Sequence, residues 1–290
     1  FHPHPANPDA QESRGLGDVY KRQSQLRIFG LSFKVIKTLL TTQYAYMLEY
    51  RIEIALWALS GVLPFIMFSL WSQNDVGNSF GLNDIGLARY FLSAFLVRQF
   101  SVVWVVFSFE EDSLSGRLSP YLLQPLHPLL RYVAAHLAEQ ATRLPFAIAI
   151  AITFFILNPS SFWLPSLPQL FLAYLSTHFA FTIAFLLQSL VAALCFWTEK
   201  SSALERLIFV PYLFLSGLLV PLSAFPSNVL KIAMLTPFPY LINFPAKILS
   251  GMPVDIFNGF LAQILWISIL VPSVNILWKL GVKRYTAMGA

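Results

Sequence analysis

The chain has 290 residues, of which 57% are hydrophobic and only 11% are charged. Soluble domains are about 45–50% apolar and about 25% charged, so this composition excludes a water-soluble monomer. A net charge of +5 fits a chain that lies in a lipid bilayer and keeps its few ions at the bilayer edges. The single cysteine, Cys195, excludes an internal disulfide framework and a cysteine-based metal site.

The first segment, Phe1–Gln23, differs in composition from the rest of the chain. It starts without a methionine, carries His and Pro among its first residues, and lacks the apolar core of a signal peptide. We interpret it as a disordered or non-native leader. Residues 24–290 are expected to form one membrane domain.

The segment Arg27–Met47 has the period of an amphipathic helix. Aromatic and aliphatic residues recur at three and four positions, while Arg27, Lys34 and Lys37 lie on another face. This pattern predicts an interfacial helix with its cations toward anionic lipid headgroups. A plain packing helix on the cytoplasmic side is the alternative interpretation.

Six later segments are long and apolar enough to span a bilayer, which takes roughly 20 residues of helix. Continuous apolarity without two-residue alternation favours helices over a barrel. The predicted fold is therefore all-α and polytopic, with prolines inside spans acting as kinks. The predicted spans cover residues 54–74, 90–109, 144–163, 170–197, 207–224 and 256–278.

The positive charges predict the orientation of these spans. If the N-terminus is cytoplasmic, fifteen of the 19 Lys and Arg residues lie on the inner side and three on the outer side. Lys and Arg accumulate on the cytoplasmic side of membrane proteins. Both termini are therefore predicted to be cytoplasmic, in a multi-pass protein of the bacterial inner membrane.

The longest polar interval, Glu110–Arg143, falls on the predicted inner side. Ser119 is a favourable N-cap and Pro120 a favourable first helical residue, so a very short helix is predicted there. A short helix that exposes apolar residues needs a partner, which is either the chain's own helix ends or another protein. The residues predicted to meet that partner are Glu110, Glu111, Arg117, Tyr121, Leu122 and Leu123.

On the predicted outer side, Phe225–Asp255 contains five prolines but is too apolar for a free loop. Within it, Thr236–Pro245 is predicted to form two short helices that dip into the bilayer, as an outer lid. An interfacial aromatic belt is the alternative. Phe238, Tyr240 and Asn243 are the gate candidates in this segment.

The chain lacks the motifs of several kinds of chemistry. It contains no GxxxxGK[ST] phosphate loop, no HExxH and no GxSxG, so no cofactor, metal site or enzymatic activity is expected of it. Arg98 is the only charge within a predicted span. A cation there either lines a pathway or serves as a structural group, and Gln188 is a further pathway candidate.

Taken together, these features resemble an ABC-2 type transporter permease, and the resemblance covers residues 24–290. It is closest to a bacterial subfamily of uncharacterised transport-system permeases. The stretches that carry it are Tyr50–Trp57, Gly116–Leu126, Phe196–Lys200, Thr236–Tyr240 and Lys283–Tyr285.

The resemblance implies a membrane subunit that pairs with an identical or related permease and docks ATP-binding cassette subunits, which hold the ATP and Mg²⁺. It further implies that Glu110–Pro125 is the coupling region, Arg27–Met47 a connecting helix, and Pro237–Pro245 an outer gate. Export is the expected direction. Membrane lipid is the expected surrounding, and no nucleic-acid partner is expected.

An ATP-independent secondary transporter or channel is the alternative function. The sequence shows no convincing inverted repeat between its halves, and coupled transport usually needs more than one intramembrane ion. A membrane enzyme is disfavoured because the spans lack paired catalytic groups.

Overall fold

A computed structural model describes residues 33–73, 82–124, 126–198 and 200–287, which form helices and turns and contain no strand. The predicted leader and residues 27–32 of the predicted amphipathic helix lie outside these residues. The helices are α1 Phe33–Glu49, α2 Arg51–Ser60, α3 Leu63–Ser72, α4 Asp84–Ser101, α5 Val105–Leu114, α6 Leu118–Leu123, α7 Pro128–Leu157, α8 Leu167–Ala193, α9 Ser202–Leu215, α10 Ser227–Met234, α11 Asn243–Ser250 and α12 Ile256–Ala287.

Within the described residues, five helical segments are long and apolar enough to cross a membrane. A further pair, α10 with the segment Phe238–Ser250, is bent by 76° and makes a sixth if the two parts cross together. The prediction of an all-α polytopic membrane protein is therefore confirmed. The five segments are Arg51–Ser72, Asp84–Leu114, Pro128–Leu157, Leu167–Phe196 and Ile256–Tyr285.

The exterior of the bundle is apolar, as a bilayer requires. On α12, for example, Phe257 is 76% exposed and Ile276 is 61% exposed. Among the spanning segments the best enclosed is the one that contains α4, most of whose residues are buried between α3, α8 and α11. The amphipathic helix α1 lies against α7 and has no fully buried residue, and its contact with lipid stays a prediction.

The bounds of the predicted fifth span were wrong. Helix α9 has 14 residues and ends at Leu215 rather than continuing to Ala224. The chain turns at Gly217, whose φ of 86° is left-handed and ends the helix. The two short helices predicted within Thr236–Pro245 were misplaced, because this stretch holds only a 3-10 turn at Phe238–Tyr240 and the start of α11, while α10 precedes it.

Two other spans also differ from their predicted form. The second span is broken between Ser101 and Val105 rather than continuous. The third begins at Pro128 rather than Leu144, and Pro145 lies inside it. Because the third span begins earlier, Glu139 and Arg143 lie on it, so Arg98 is not the only charge on a spanning helix.

A broken span, a cavity and a braced short helix

The break in the second span exposes backbone N–H groups that the neighbouring helices satisfy. Trp104 N–H donates to Nε2 of His136 on α7 at 2.8 Å. Val106 N–H donates to Oε1 of Gln188 on α8 at 3.4 Å. Irregular backbone is tolerated at membrane depth only where protein or a cavity shields it, and here two side chains provide the acceptors.

The carbonyl groups before the break are satisfied in the same way. Gln140 Nε2 donates to Phe100 O at 2.7 Å, and Arg143 Nη1 donates to Gln99 O at 3.0 Å. We call the four side chains that bond to the break the polar clamp: His136, Gln140 and Arg143 of α7, and Gln188 of α8. The clamp therefore supplies hydrogen-bond partners for the backbone groups that the break leaves without helical ones.

Arg143 of the clamp belongs to a buried ion pair. Its Nη2 lies 2.8 Å from Oε1 of Glu139, one helical turn away, and the two side chains are 4% and 15% exposed. A buried cation without a partner would be strongly destabilising, so the pair keeps both groups charged next to the break. Sequence analysis missed this pair because it placed both residues before the third span.

A cavity of about 70 Å³, whose mostly apolar lining includes several polar groups, lies beside the break. A water molecule needs about 10–15 Å³ of such space, so the cavity has room for several waters but not for a large substrate. Nε of Arg98 is buried and has no hydrogen-bond partner within the part of the chain that the structure describes. The polar and aromatic lining includes Arg98, Ser101, Gln188, Glu205, Tyr212 and Phe238.

The structure brings three of the five predicted pathway residues to this cavity, namely Arg98, Gln188 and Phe238. The other two belong to a separate packed cluster. The Tyr90 hydroxyl lies 2.8 Å from Gly217 O and 3.1 Å from Asn243 Oδ1, and Gln263 Nε2 donates to Tyr240 O at 3.0 Å. Asn243 and Tyr240 thus fix the bent pair against α4 and α12.

Near the C-terminal end of α5, the acidic residues Glu110, Glu111 and Asp112 form hydrogen bonds or ion pairs within the chain. Glu110 accepts from Ser202 N–H at 2.7 Å and from Ser202 Oγ at 3.0 Å, so it caps the start of α9. Asp112 accepts from the Tyr132 hydroxyl of α7 at 2.7 Å. Glu110 is therefore bound within the chain rather than free for a partner.

Arg117 bridges the two remaining carboxylates. Its Nη2 lies 2.6 Å from Glu111 Oε1, and its Nε lies 2.8 Å from Asp112 Oδ1. The Glu111 carboxylate, and then that of Asp112, raise the pKa of the Arg117 guanidinium above its ordinary value. Glu111 is the exposed member, with 71% of its side chain accessible.

The short helix α6 exists, but its predicted start and its exposed face were partly wrong. It begins at Leu118, and Ser119 is not its N-cap, because the Ser119 hydroxyl lies 2.8 Å from the Tyr285 hydroxyl of α12. Leu122 is 5% exposed and packs in the core, since its neighbours on α5 and α7 cover it. Leu123 is 59% exposed, as the prediction of a surface residue requires.

Tyr121 occupies an intermediate position. Its ring lies under the Arg131 guanidinium, with 4.1 Å between the Arg131 Cζ atom and the ring centroid. A second exposed leucine, Leu114, ends α5 and is 61% accessible. The exposed apolar residues at this end are therefore Leu114 and Leu123.

One signal in the sequence could have revealed the clamp. His136, Gln140 and Arg143 are spaced by four and three residues, which places them on one face of a helix. A polar face on an otherwise apolar helix indicates a polar partner inside the bundle. In the described parts of the chain, no group of three or more His, Cys, Asp or Glu side chains could hold a metal ion.

Comparison with known proteins places this architecture in a family. A family model described as "ABC-2 family transporter protein" matches residues 61–289, which is most of the chain. No curated protein matches the chain significantly. The chain therefore belongs to the ABC-2 family of transporter proteins, as a permease component of an ABC transporter.

Proposed function

We propose that the chain is the membrane subunit of an ATP-driven exporter of the bacterial inner membrane. Two permeases, identical or related, form the pathway, and both chain termini are cytoplasmic. Separate ATP-binding cassette subunits bind ATP and Mg²⁺ and dock at the α6 end of the bundle.

The observation that carries this proposal is the bracing of residues 110–123. This segment bonds to three different helices: to α9 through Glu110, to α7 through Asp112, and to α12 through Ser119. Leu118 and Leu122 anchor it further in the core. A force applied to this segment is therefore transmitted directly to three helices of the bundle.

The docking surface combines an apolar part and a charged part. Leu114 and Leu123 supply the apolar contacts, and the Glu111–Arg117 pair supplies charges for steering. The buried Leu122 acts as the internal anchor of α6 instead of a contact residue. Tyr121 and Arg131 border this surface.

The force is expected to act at the break in the second span. Helix α5 joins the braced segment at Leu114 and the break at Val105, so closure of the ATPase subunits tilts α5 relative to α4. The cavity around Arg98 lies beside this break. Tilting opens or closes the cavity and thereby favours one access state over the other.

The test uses two exposed leucines of the docking surface and one elsewhere. The tagged chain is purified from its native membrane, and the stoichiometry of a copurifying ATP-binding cassette subunit is measured together with ATP hydrolysis. Leu123→Asp and Leu114→Asp are expected to release the ATPase. Leu164→Asp is the matched control, because Leu164 is 84% exposed but lies between α7 and α8, far from α6 in the chain.

Two outcomes contradict the proposal. One is transport by the purified chain with no ATPase present, which favours the ATP-independent alternative. The other is equal retention of the ATPase in all three variants. Leu122→Asp is unsuitable as the test, because its expected effect is unfolding of the core.

A further inference from the structure

A second, larger groove lies beside the break, next to Trp104. Its volume is about 350 Å³, and Trp57, Trp104, Phe107 and Glu139 line it. These residues come from α2, the break, α5 and α7. Neither the polar clamp nor the docking surface accounts for this groove.

The walls of the groove are aromatic. The Trp57 and Trp104 rings lie 5.6 Å apart and are inclined by 51°, and the Trp104 and Phe107 rings lie 6.4 Å apart and are inclined by 54°. Because each ring is inclined to the next, the three rings together form a curved aromatic wall. Such a surface attracts an organic cation, most strongly through tryptophan.

Acidic side chains line and border the groove, and their negative charge attracts a cation. Glu139 lines it, and Glu53 accepts a hydrogen bond from the Trp57 indole at 3.4 Å. The described lining includes no Lys or Arg. Arg143, the partner of Glu139, is only 4% exposed and donates inward to the Gln99 carbonyl.

The surroundings of the groove are those of a lipid contact. Trp57 is 52% exposed, and nearby on α2 Ile52 and Leu56 are 75% and 63% exposed. Leu144, one turn beyond Gln140 on α7, is 44% exposed. In a membrane protein such exposed apolar side chains take up acyl chains, while tryptophan rings sit at headgroup level.

We propose that this groove binds the ammonium headgroup of a zwitterionic phospholipid, such as phosphatidylethanolamine. The indole and phenyl rings of Trp57, Trp104 and Phe107 contact the ammonium group, and Glu53, which is exposed beside Trp57, supplies the negative charge. The acyl chains lie along α2 and α7. Because Trp104 N–H is bonded to His136 in the break, a lipid in the groove touches the break itself.

The proposal is independent of ATPase docking and is tested on the purified chain alone. Native mass spectrometry in a neutral detergent measures the affinity of added phosphatidylethanolamine and of anionic phosphatidylglycerol with the same acyl chains. Trp57→Leu and Phe107→Leu remove one ring each from positions exposed enough to tolerate the change. Trp197→Leu is the matched control, since Trp197 is 37% exposed and lies outside the groove.

We expect one phosphatidylethanolamine molecule to bind in preference to phosphatidylglycerol. Loss of one cation–π contact weakens binding about three- to thirty-fold, so each groove variant is expected to show a drop in this range and the control none. Equal affinity for the two lipids, or equal affinity of all variants for phosphatidylethanolamine, overturns the proposal. Binding of dodecyltrimethylammonium without binding of phosphatidylethanolamine overturns the lipid assignment.

Discussion

Two of the places at which the chain interrupts its apolar helices, the break before Val105 and the turn after Leu215, are stabilised by different chemistry. At the first, His136, Gln140, Arg143 and Gln188 bond to the freed backbone. His136 and Arg143 are titratable or charged, and Gln140 and Gln188 carry amides. They reach the backbone from two neighbouring helices.

At the second interruption the partners are aromatic or belong to the backbone. Trp71 Nε1 donates to Leu219 O at 2.9 Å, the Tyr90 hydroxyl lies 2.8 Å from Gly217 O, and Asn243 N–H donates to Ser216 O at 2.8 Å. Both places obey the requirement that every polar backbone group in a bilayer find a partner. The difference is that the first depends on a buried charge and the second on close packing around a glycine.

The largest effect is expected from removing the charge at the first break. Arg143→Ala leaves the Glu139 carboxylate buried without its cation and leaves Gln99 O without its donor. Breaking a buried ion pair in this way costs about 3–5 kcal/mol. The expected result is a large drop in the thermal unfolding midpoint of the protein in detergent.

Two further variants distinguish the charge from the packing. Arg131→Ala on the same helix removes only surface contacts, with the Tyr121 ring and with Gln124 Oε1, and should cost about 1 kcal/mol or less. The double variant Glu139→Leu with Arg143→Leu should recover part of the loss, because it removes both charges together. A double variant as unstable as Arg143→Ala argues against the ion pair as the cause.

At the second break, replacing the glycine is expected to destabilise the protein through steric crowding. At Gly217 an added Cβ would lie 2.8 Å from the Asn243 Cβ and would overlap the Tyr90 hydroxyl, at a φ of 86°. Gly217→Ala therefore combines backbone strain with overpacking and should cost about 3 kcal/mol. Gly116 has a φ of 74° with open space around it, so Gly116→Ala should cost only about 1 kcal/mol, and equal losses in the two variants would refute the crowding argument.

These two breaks mark the limit of what hydropathy predicts. The all-α membrane fold, its apolar segments and the short helix near Tyr121 follow from composition and from Pro and Ser positions. The first break is not visible in its own sequence, because Val102, Val103 and Trp104 are as apolar as an unbroken helix, whereas Gly217 is a sequence signal for the second. The partners that permit each break lie on other helices, such as His136 for the first and Tyr90 for the second.

The candidate sites could likewise be predicted from the sequence only in part. Arg98 and Gln188 stand out in the sequence as polar residues within apolar runs, and the structure brings both to one cavity. The burial of Leu122 and the capping role of Glu110 depend on the distant residues that surround them. Sequence spacing within one segment does not contain that information.

A smaller effect is expected from one hydroxyl at the second break. Tyr90→Phe keeps the ring, which is fully buried, but removes the hydrogen bond to Gly217 O. Leaving a buried carbonyl without this partner costs about 1–2 kcal/mol. Thermal unfolding in detergent measures the loss, and an unchanged midpoint would show that the hydrogen bond from Tyr90 does not stabilise the turn.

The smallest effect is expected from lowering the pH, through protonation of His127 at the start of α7, the helix that carries three of the clamp residues. His127 caps α7 by accepting from Leu129 N–H through Nδ1 at 3.3 Å, and its ring lies 4.7 Å from that of Trp278. Burial lowers the pKa of His127 to about 4, whereas an unfolded histidine titrates near 6.5. The unfolded state therefore binds the proton first, and stability falls as the pH drops from about 6.5 toward 4.

Between pH 7.5 and pH 5.5 this linkage amounts to about 1 kcal/mol of lost stability. His127→Asn keeps a capping acceptor but does not titrate, so its unfolding midpoint should fall less between these two pH values than that of the unmodified protein. Tyr90→Phe should keep the full pH difference, because the second break contains no group that titrates in this range. If His127→Asn keeps it as well, the acid sensitivity arises elsewhere than at the start of the clamp helix.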